Sequence, residues 1–157
     1  MNRKLIAILA LSIVALSIGA VSAFDLGDLT GGNSASEAQN VTIDGIDFNI
    51  PAGFEEDTDL AINGEKNETK GIEYTTWGKT YSSKDSDVIS IGVATYDGAE
   101  VDESMPAYIG SGEKTINNVS GYEYDVPPFE GFTYAKNGKL VIISVTDESL
   151  LDEIVMA

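Results

Sequence analysis

The sequence predicts an α+β fold: a mainly antiparallel β-sheet of about seven strands with a C-terminal helix packed on one face. Three observations carry that prediction. Short runs rich in β-branched and aromatic residues recur between turn residues, as strands do. Asp44-Gly45 and Asn137-Gly138 stand between such runs, and these dipeptides suit two-residue hairpin turns in which both central residues take positive φ. Leu150, Leu151, Ile154 and Val155 form one apolar stripe at helical spacing near the C-terminus.

Ahead of the domain stands a different kind of segment. Arg3 and Lys4 precede an uncharged apolar run from Leu5 to Val21, and Val21-Ser22-Ala23 ends it with small residues before Phe24. That order is a secretory signal with a cleavage point between Ala23 and Phe24. The competing reading is an uncleaved anchor, because the run is at the short edge of what spans a bilayer. Both readings put the rest of the chain outside the cytoplasm, secreted or tethered to the outer face of the cytoplasmic membrane. With no cysteine in the chain, lipid attachment through one is excluded. Residues 24–39 (FDLGDLTGGNSASEAQ) are Gly-, Ser- and acid-rich, the composition of a flexible spacer. Residues 40–157 form a single extracytoplasmic domain large enough to bury a core without disulfides.

The domain opens with Val41-Thr42-Ile43 and Ile46-Asp47-Phe48-Asn49-Ile50, paired strands around Asp44-Gly45 and closed by Pro51 and Gly53. The polar stretch from Phe54 to Lys70 has no sustained period and is expected to be a surface excursion. Ile72–Tyr81 is a strand. So is Val88–Tyr96, with Ile89, Ile91 and Val93 on one face and Ser90, Gly92 and Ala94 on the other. Glu100–Ile109 is a short helix or loop interrupted by Pro106. Short strands are expected at Lys114–Ile116 and Gly121–Val126, and Pro127-Pro128 breaks the second. Phe129–Phe132 is a core plug, and Gly131–Lys136 with Lys139–Val145 is a hairpin around Asn137-Gly138. Thr146 or Asp147 is expected to cap the last helix, with Asp147 and Glu148 at its positive end.

Charge and composition exclude several functions. The chain carries a formal −17; removing Arg3 and Lys4 with the signal leaves −19. Such a field repels phosphate backbones, so nucleic acid is not a partner, and membrane contact is confined to the N-terminal segment. With neither His nor Cys, Ser-His-Asp and Cys-His devices, zinc sites and haem ligation are out of reach. Ser83-Lys84 and Ser111 near Lys114 are the Ser-Lys adjacencies present. No cofactor is implied. Acidic clusters at Glu55-Glu56-Asp57 with Asp59, at Asp85 and Asp87, and at Asp97, Glu100, Asp102 and Glu103 offer oxygen ligands for a weak calcium site. None has EF-hand form, and a solvated acidic surface is the default.

Two further sets of residues point outward. Tyr74 and Trp77 differ in strand parity, so a regular strand sends them to opposite faces and leaves at least one ring for ligand contact. Asn40-Val41-Thr42, Asn67-Glu68-Thr69 and Asn118-Val119-Ser120 are N-glycosylation sequons. Of the three acceptors, Asn67 is favoured because it falls in the polar excursion.

The opening Ile43-Asp44-Gly45-Ile46-Asp47-Phe48-Asn49-Ile50-Pro51-Ala52-Gly53-Phe54 has a companion near the end of the chain. There Gly121-Tyr122, Phe132–Tyr134, Gly138–Val145 and the Asp147-Glu148-Ser149-Leu150-Leu151 helix follow in order. Together they resemble small exported domains of unknown function from methanogenic archaea, and the layout is similar to PsbP/Mog1-like α/β sandwiches. The long mid-chain helix of such folds is not evident, with Glu100–Ile109 as its one stand-in. The resemblance implies an accessory or binding role and transfers no site residues. The expected function is therefore an exported, non-catalytic binding or cell-surface accessory domain. Its partner would be an envelope or surface protein, a polysaccharide or a cation. The alternatives are a carboxylate-dependent extracellular hydrolase or a weak calcium-binding module.

Overall fold

Hairpins organise the chain. In the computed structural model, which describes residues 36–69 and 71–157, strands β1 (Gln39–Ile43) and β2 (Ile46–Ile50) pair through the Asp44-Gly45 turn and form a two-stranded sheet of their own. Asp44 at φ 46° and Gly45 at φ 75° give the turn its two positive φ values. The expected export segment 1–23, with its expected Ala23–Phe24 junction, lies outside the described residues, as does most of the expected spacer. The end of the spacer is tied down: Ser36 Oγ donates to the Phe54 carbonyl at 2.5 Å.

Eight strands make the main sheet: β3 (Phe54–Glu56), β4 (Ile62–Thr69), β5 (Ile72–Ser83), β6 (Val88–Tyr96), β7 (Gly112–Ile116), β8 (Val119–Val126), β9 (Phe129–Lys136) and β10 (Lys139–Val145). Their spatial order is β3-β5-β6-β10-β9-β8-β7, with β4 also on β5, and all pairings are antiparallel. One short helix, α1 (Leu150–Ile154), follows. The α+β class holds in this coarse form, with ten strands among the described residues rather than about seven.

The added strands have a physical reason. Phe54–Lys70 is not a simple excursion, because β3 and β4 lie one after the other along the outer edge of β5. An edge strand needs little apolar content, since its backbone bonds rather than its side chains hold it. Its pattern is also broken by a bulge between Asn63 and Glu65, which hides the strand period from the sequence. The stretch at Glu100–Ile109 is loop with a 3₁₀ turn at Pro106–Tyr108, not a helix. Phe129 is buried and starts β9, so the expected plug is part of the strand.

Alternation along the central strands builds two cores. On the first face Tyr81, Ile89, Ile91, Val93, Phe132 and Tyr134 meet the β1–β2 hairpin through Ile46, Phe48 and Ile50. Leu150, Leu151 and Ile154 of α1 join the same cluster. Completely burying a Phe or Ile side chain contributes about 1.5–3 kcal/mol, and Phe48, Ile50, Phe132 and Ile154 are all at 0 % exposure. On the second face Tyr74, Tyr96, Tyr124, Leu140 and Ile142 are covered by Val101 and Met105 of the β6–β7 connection. The helix therefore docks on the face of Ile143, while Ile142 points to the other core. Its start differs from the expected cap. Ser149 occupies the cap position, and Asp147 accepts from the Ser149 amide at 3.0 Å and hydroxyl at 2.7 Å. Thr146 instead accepts from the Val88 amide at 2.9 Å.

Candidate functional site

The sheet is covered at its centre and ends in an edge at each side, β3 and β4 at one and β7 at the other. Strand β7 ends the spatial order, and among the described residues nothing pairs with its outer side. On the second face of β7 and β8, Glu113, Thr115 and Ser120 surround the half-buried ring of Tyr122, and Glu103 of the β6–β7 connection closes the side. They line a concavity of about 430 Å³. The Tyr122 hydroxyl lies 3.5 Å from Glu113 Oε1. Tyr108, the most exposed large aromatic among the described residues, sits nearby on the 3₁₀ turn that packs against β8.

The first face of the same rim carries a second, smaller hollow of about 190 Å³, with Glu123, Asp125, Glu130 and Glu148 along it. Lys114 reaches into this side, bonded to Glu148 and 3.7 Å from Glu123. The hydrogen bond to Glu148 pushes the Lys114 ammonium above its ordinary range against the opposing effect of burial, and the charges of Glu148, Glu123 and Asp152 add to the rise. At the Ser111–Lys114 adjacency the lysine is thus engaged by carboxylates, and no hydrogen bond joins it to Ser111 among the described residues. At the other adjacency, Ser83 Oγ accepts from the amides of Asp85 and Asp87 at 3.2 and 3.1 Å, as a turn residue does.

The rim holds its shape through close packing behind it. The Tyr124 ring lies over Gly131, where an added Cβ would come within 2.1 Å of the ring. Its hydroxyl is 2.9 Å from the Ile143 carbonyl, to which it donates, and 2.7 Å from Ser144 Oγ. At the β7–β8 turn, Asn117 and Asn118 take φ 49° and 65°, a two-residue turn made with asparagine instead of glycine. The Asn117 amide donates to the carbonyls of Asp152 and Val155 at 2.7 and 2.9 Å, tying the turn to the end of α1.

The residues singled out from sequence lie elsewhere. Tyr74 and Trp77 do go to opposite faces, the first covered and the second covered in part. Tyr74 is 3 % exposed and packs on Tyr96 with ring centroids 5.7 Å apart, while Trp77 is half-buried against the first core. The acidic clusters are engaged locally. Glu56 pairs with Lys79 at 2.7 Å, Asp57 accepts from the Asp59 amide at 3.1 Å, and Asp102 accepts from the Ser104 amide at 2.9 Å. Among the described residues no group of three or more acidic side chains is arranged to hold a metal ion. Tyr122 is one of the aromatic residues expected in strands, with nothing in the sequence to set it apart from Tyr81, Tyr96, Tyr124 and Tyr134, and Tyr108 carries no signal at all; alternation alone cannot tell a covered ring from an open one.

Chemically, the rim offers one half-open phenol ring among exposed carboxylates and hydroxyls. A carboxylic acid kept protonated near neutral pH needs burial or a close second carboxylate. The buried polar residues among those described are Thr76, Thr80, Ser90, Thr133 and Ser144, all hydroxyls. A tyrosine ring beside exposed carboxylates suits stacking on a sugar face with hydrogen bonds to its hydroxyls. Among the described residues no helix is long and apolar enough to cross a membrane. No family model, curated protein or solved structure matches the chain.

Proposed function

We propose that the chain is an exported, non-catalytic binding domain, secreted or tethered to the outer face of the cytoplasmic membrane, that holds an envelope polysaccharide at the β7–β8 rim. The observation that carries this reading is the Tyr122 concavity, where one accessible ring is framed by Glu103, Glu113, Thr115 and Ser120. The ring supplies a stacking face, and the carboxylates and hydroxyls supply directional hydrogen bonds. The strongly negative chain selects uncharged or basic sugars over anionic ones. The export segment and the likeness of the Ile43–Phe54 opening to exported accessory domains support the location and the non-catalytic role.

The test is co-sedimentation of the purified protein with envelope isolated from the cells that make it. Saturable binding that falls about tenfold in Tyr122→Ala, the scale of one lost ring contact of about 1.4 kcal/mol, is the expected result. Binding that Tyr122→Ala leaves unchanged, or no binding to envelope, contradicts the reading.

A further inference from the structure

The three sequons differ once they are placed in the fold. Transfer of an N-glycan needs a free asparagine amide and an available hydroxyl two residues on. At Asn67 the amide is engaged: it donates to the Glu65 carbonyl at 3.3 Å and to Thr76 Oγ1 at 3.4 Å, within β4. At Asn40 the asparagine is exposed, but the Thr42 hydroxyl donates to Asp47 Oδ1 at 2.6 Å. At Asn118 both groups are open. Asn118 and Ser120 are exposed, and neither side chain makes a hydrogen bond to the described residues. The turn also presents Asn118 outward, because its neighbour Asn117 is bonded down onto the end of α1.

We propose that Asn118 is the N-glycan acceptor of this chain, and that the glycan shields the free edge of β7. In the transfer, the Asn118 amide nitrogen displaces the phosphate-linked lipid carrier from the anomeric carbon of a lipid-linked oligosaccharide. An N-glycosidic bond forms, the C1–O bond to the carrier breaks, and the proton lost by the amide nitrogen goes to the departing carrier phosphate. The position has a structural use. Among the described residues nothing pairs with the outer edge of β7, and such an edge is the feature that sheets cover to avoid edge-to-edge association. A bulky hydrated chain at the end of that strand blocks such pairing.

This inference rests on export, since the transfer takes place outside the cytoplasm, so the experiment reads location separately. The protein is purified from its own cells and its peptides are mapped by mass. In parallel, intact cells are treated with a protease that cannot enter them. The expected result is a glycan mass on the peptide containing Asn118, lost in both Asn118→Gln and Ser120→Ala, while the peptide containing Asn67 is bare. Ser120→Ala leaves the turn residues in place, so its loss of glycan does not reflect misfolding. Enzymatic removal of the glycan is expected to speed aggregation several-fold. A bare Asn118 in a chain that the protease reaches overturns the assignment and leaves export standing. A glycan at Asn40 or Asn67 instead of Asn118 also overturns it. A chain sheltered from the protease in the cytoplasm overturns both.

Discussion

The centre of the main sheet and its β7–β8 rim use the same residue types to opposite ends. At the centre, Tyr81, Tyr96 and Tyr134 are enclosed, and the strands that carry them are covered on both faces. At the rim, Tyr122 remains half-open among carboxylates and hydroxyls, with Tyr108 exposed beside it. The difference is one of cover. The β1–β2 hairpin and α1 lie over the first face and the β6–β7 connection lies over part of the second, but nothing among the described residues pairs beyond β7. The burial of an aromatic residue in this sequence is therefore set by what lies over it, not by its type: Tyr124 is buried on the same strand that leaves Tyr122 half-open.

The contrast can be broken most directly by truncation. Phe132→Ala, at a position with 0 % exposure in the first core, should cost about 3–5 kcal/mol in chemical denaturation. Tyr122→Ala should cost under about 1 kcal/mol and act on binding instead. Equal losses from the two would erase the distinction between centre and rim.

Alkaline titration sharpens it. Burial pushes the hydroxyls of Tyr81, Tyr96, Tyr124 and Tyr134 well above the ordinary phenol range, in Tyr124 against the lowering effect of its Ser144 bond. The unfolded chain loses these protons first, from about pH 10, so native stability should fall as pH rises past that point. Tyrosinate absorbance from these residues should emerge together with the loss of far-ultraviolet circular dichroism. Ionisation of these four without unfolding would mean that the centre is open.

The smallest effect lies at the helix start. Hydrogen bonds from the Ser149 hydroxyl and amide hold Asp147 below its ordinary range. A lowered native value stabilises the fold above the unfolded pKa of about 3.9 and is lost as pH falls through the native value. Ser149→Ala should move the Asp147 titration, followed by NMR, upward. An unmoved titration would mean that the serine does not hold the carboxylate.

Legibility followed the strength of local signals. The Asp44-Gly45 and Asn137-Gly138 turns define their hairpins alone, because few other dipeptides tolerate two positive φ values. The C-terminal helix was readable from its stripe, although its cap was not, since Thr146, Asp147 and Ser149 can all serve. Strands β3 and β4 were hidden by polar edge composition and a bulge. Parity placed Tyr74 and Trp77 on opposite faces but was silent about what covers each face. The cover over Tyr74 comes from Val101 and Met105 in a connection with no period to read. The availability of Asn118 over Asn67 depends on partners distant in sequence, Thr76 for one and the end of α1 for the other.

The central claim is that the β7–β8 rim is the surface by which this domain binds. Hydrogen–deuterium exchange of the native protein, alone and with isolated envelope at saturation, tests it most directly. Slower exchange in residues 112–122 and around Glu103, with β5 and β6 unchanged, is the predicted result. Protection confined to another surface, with the rim exchanging as in the free protein, would contradict it.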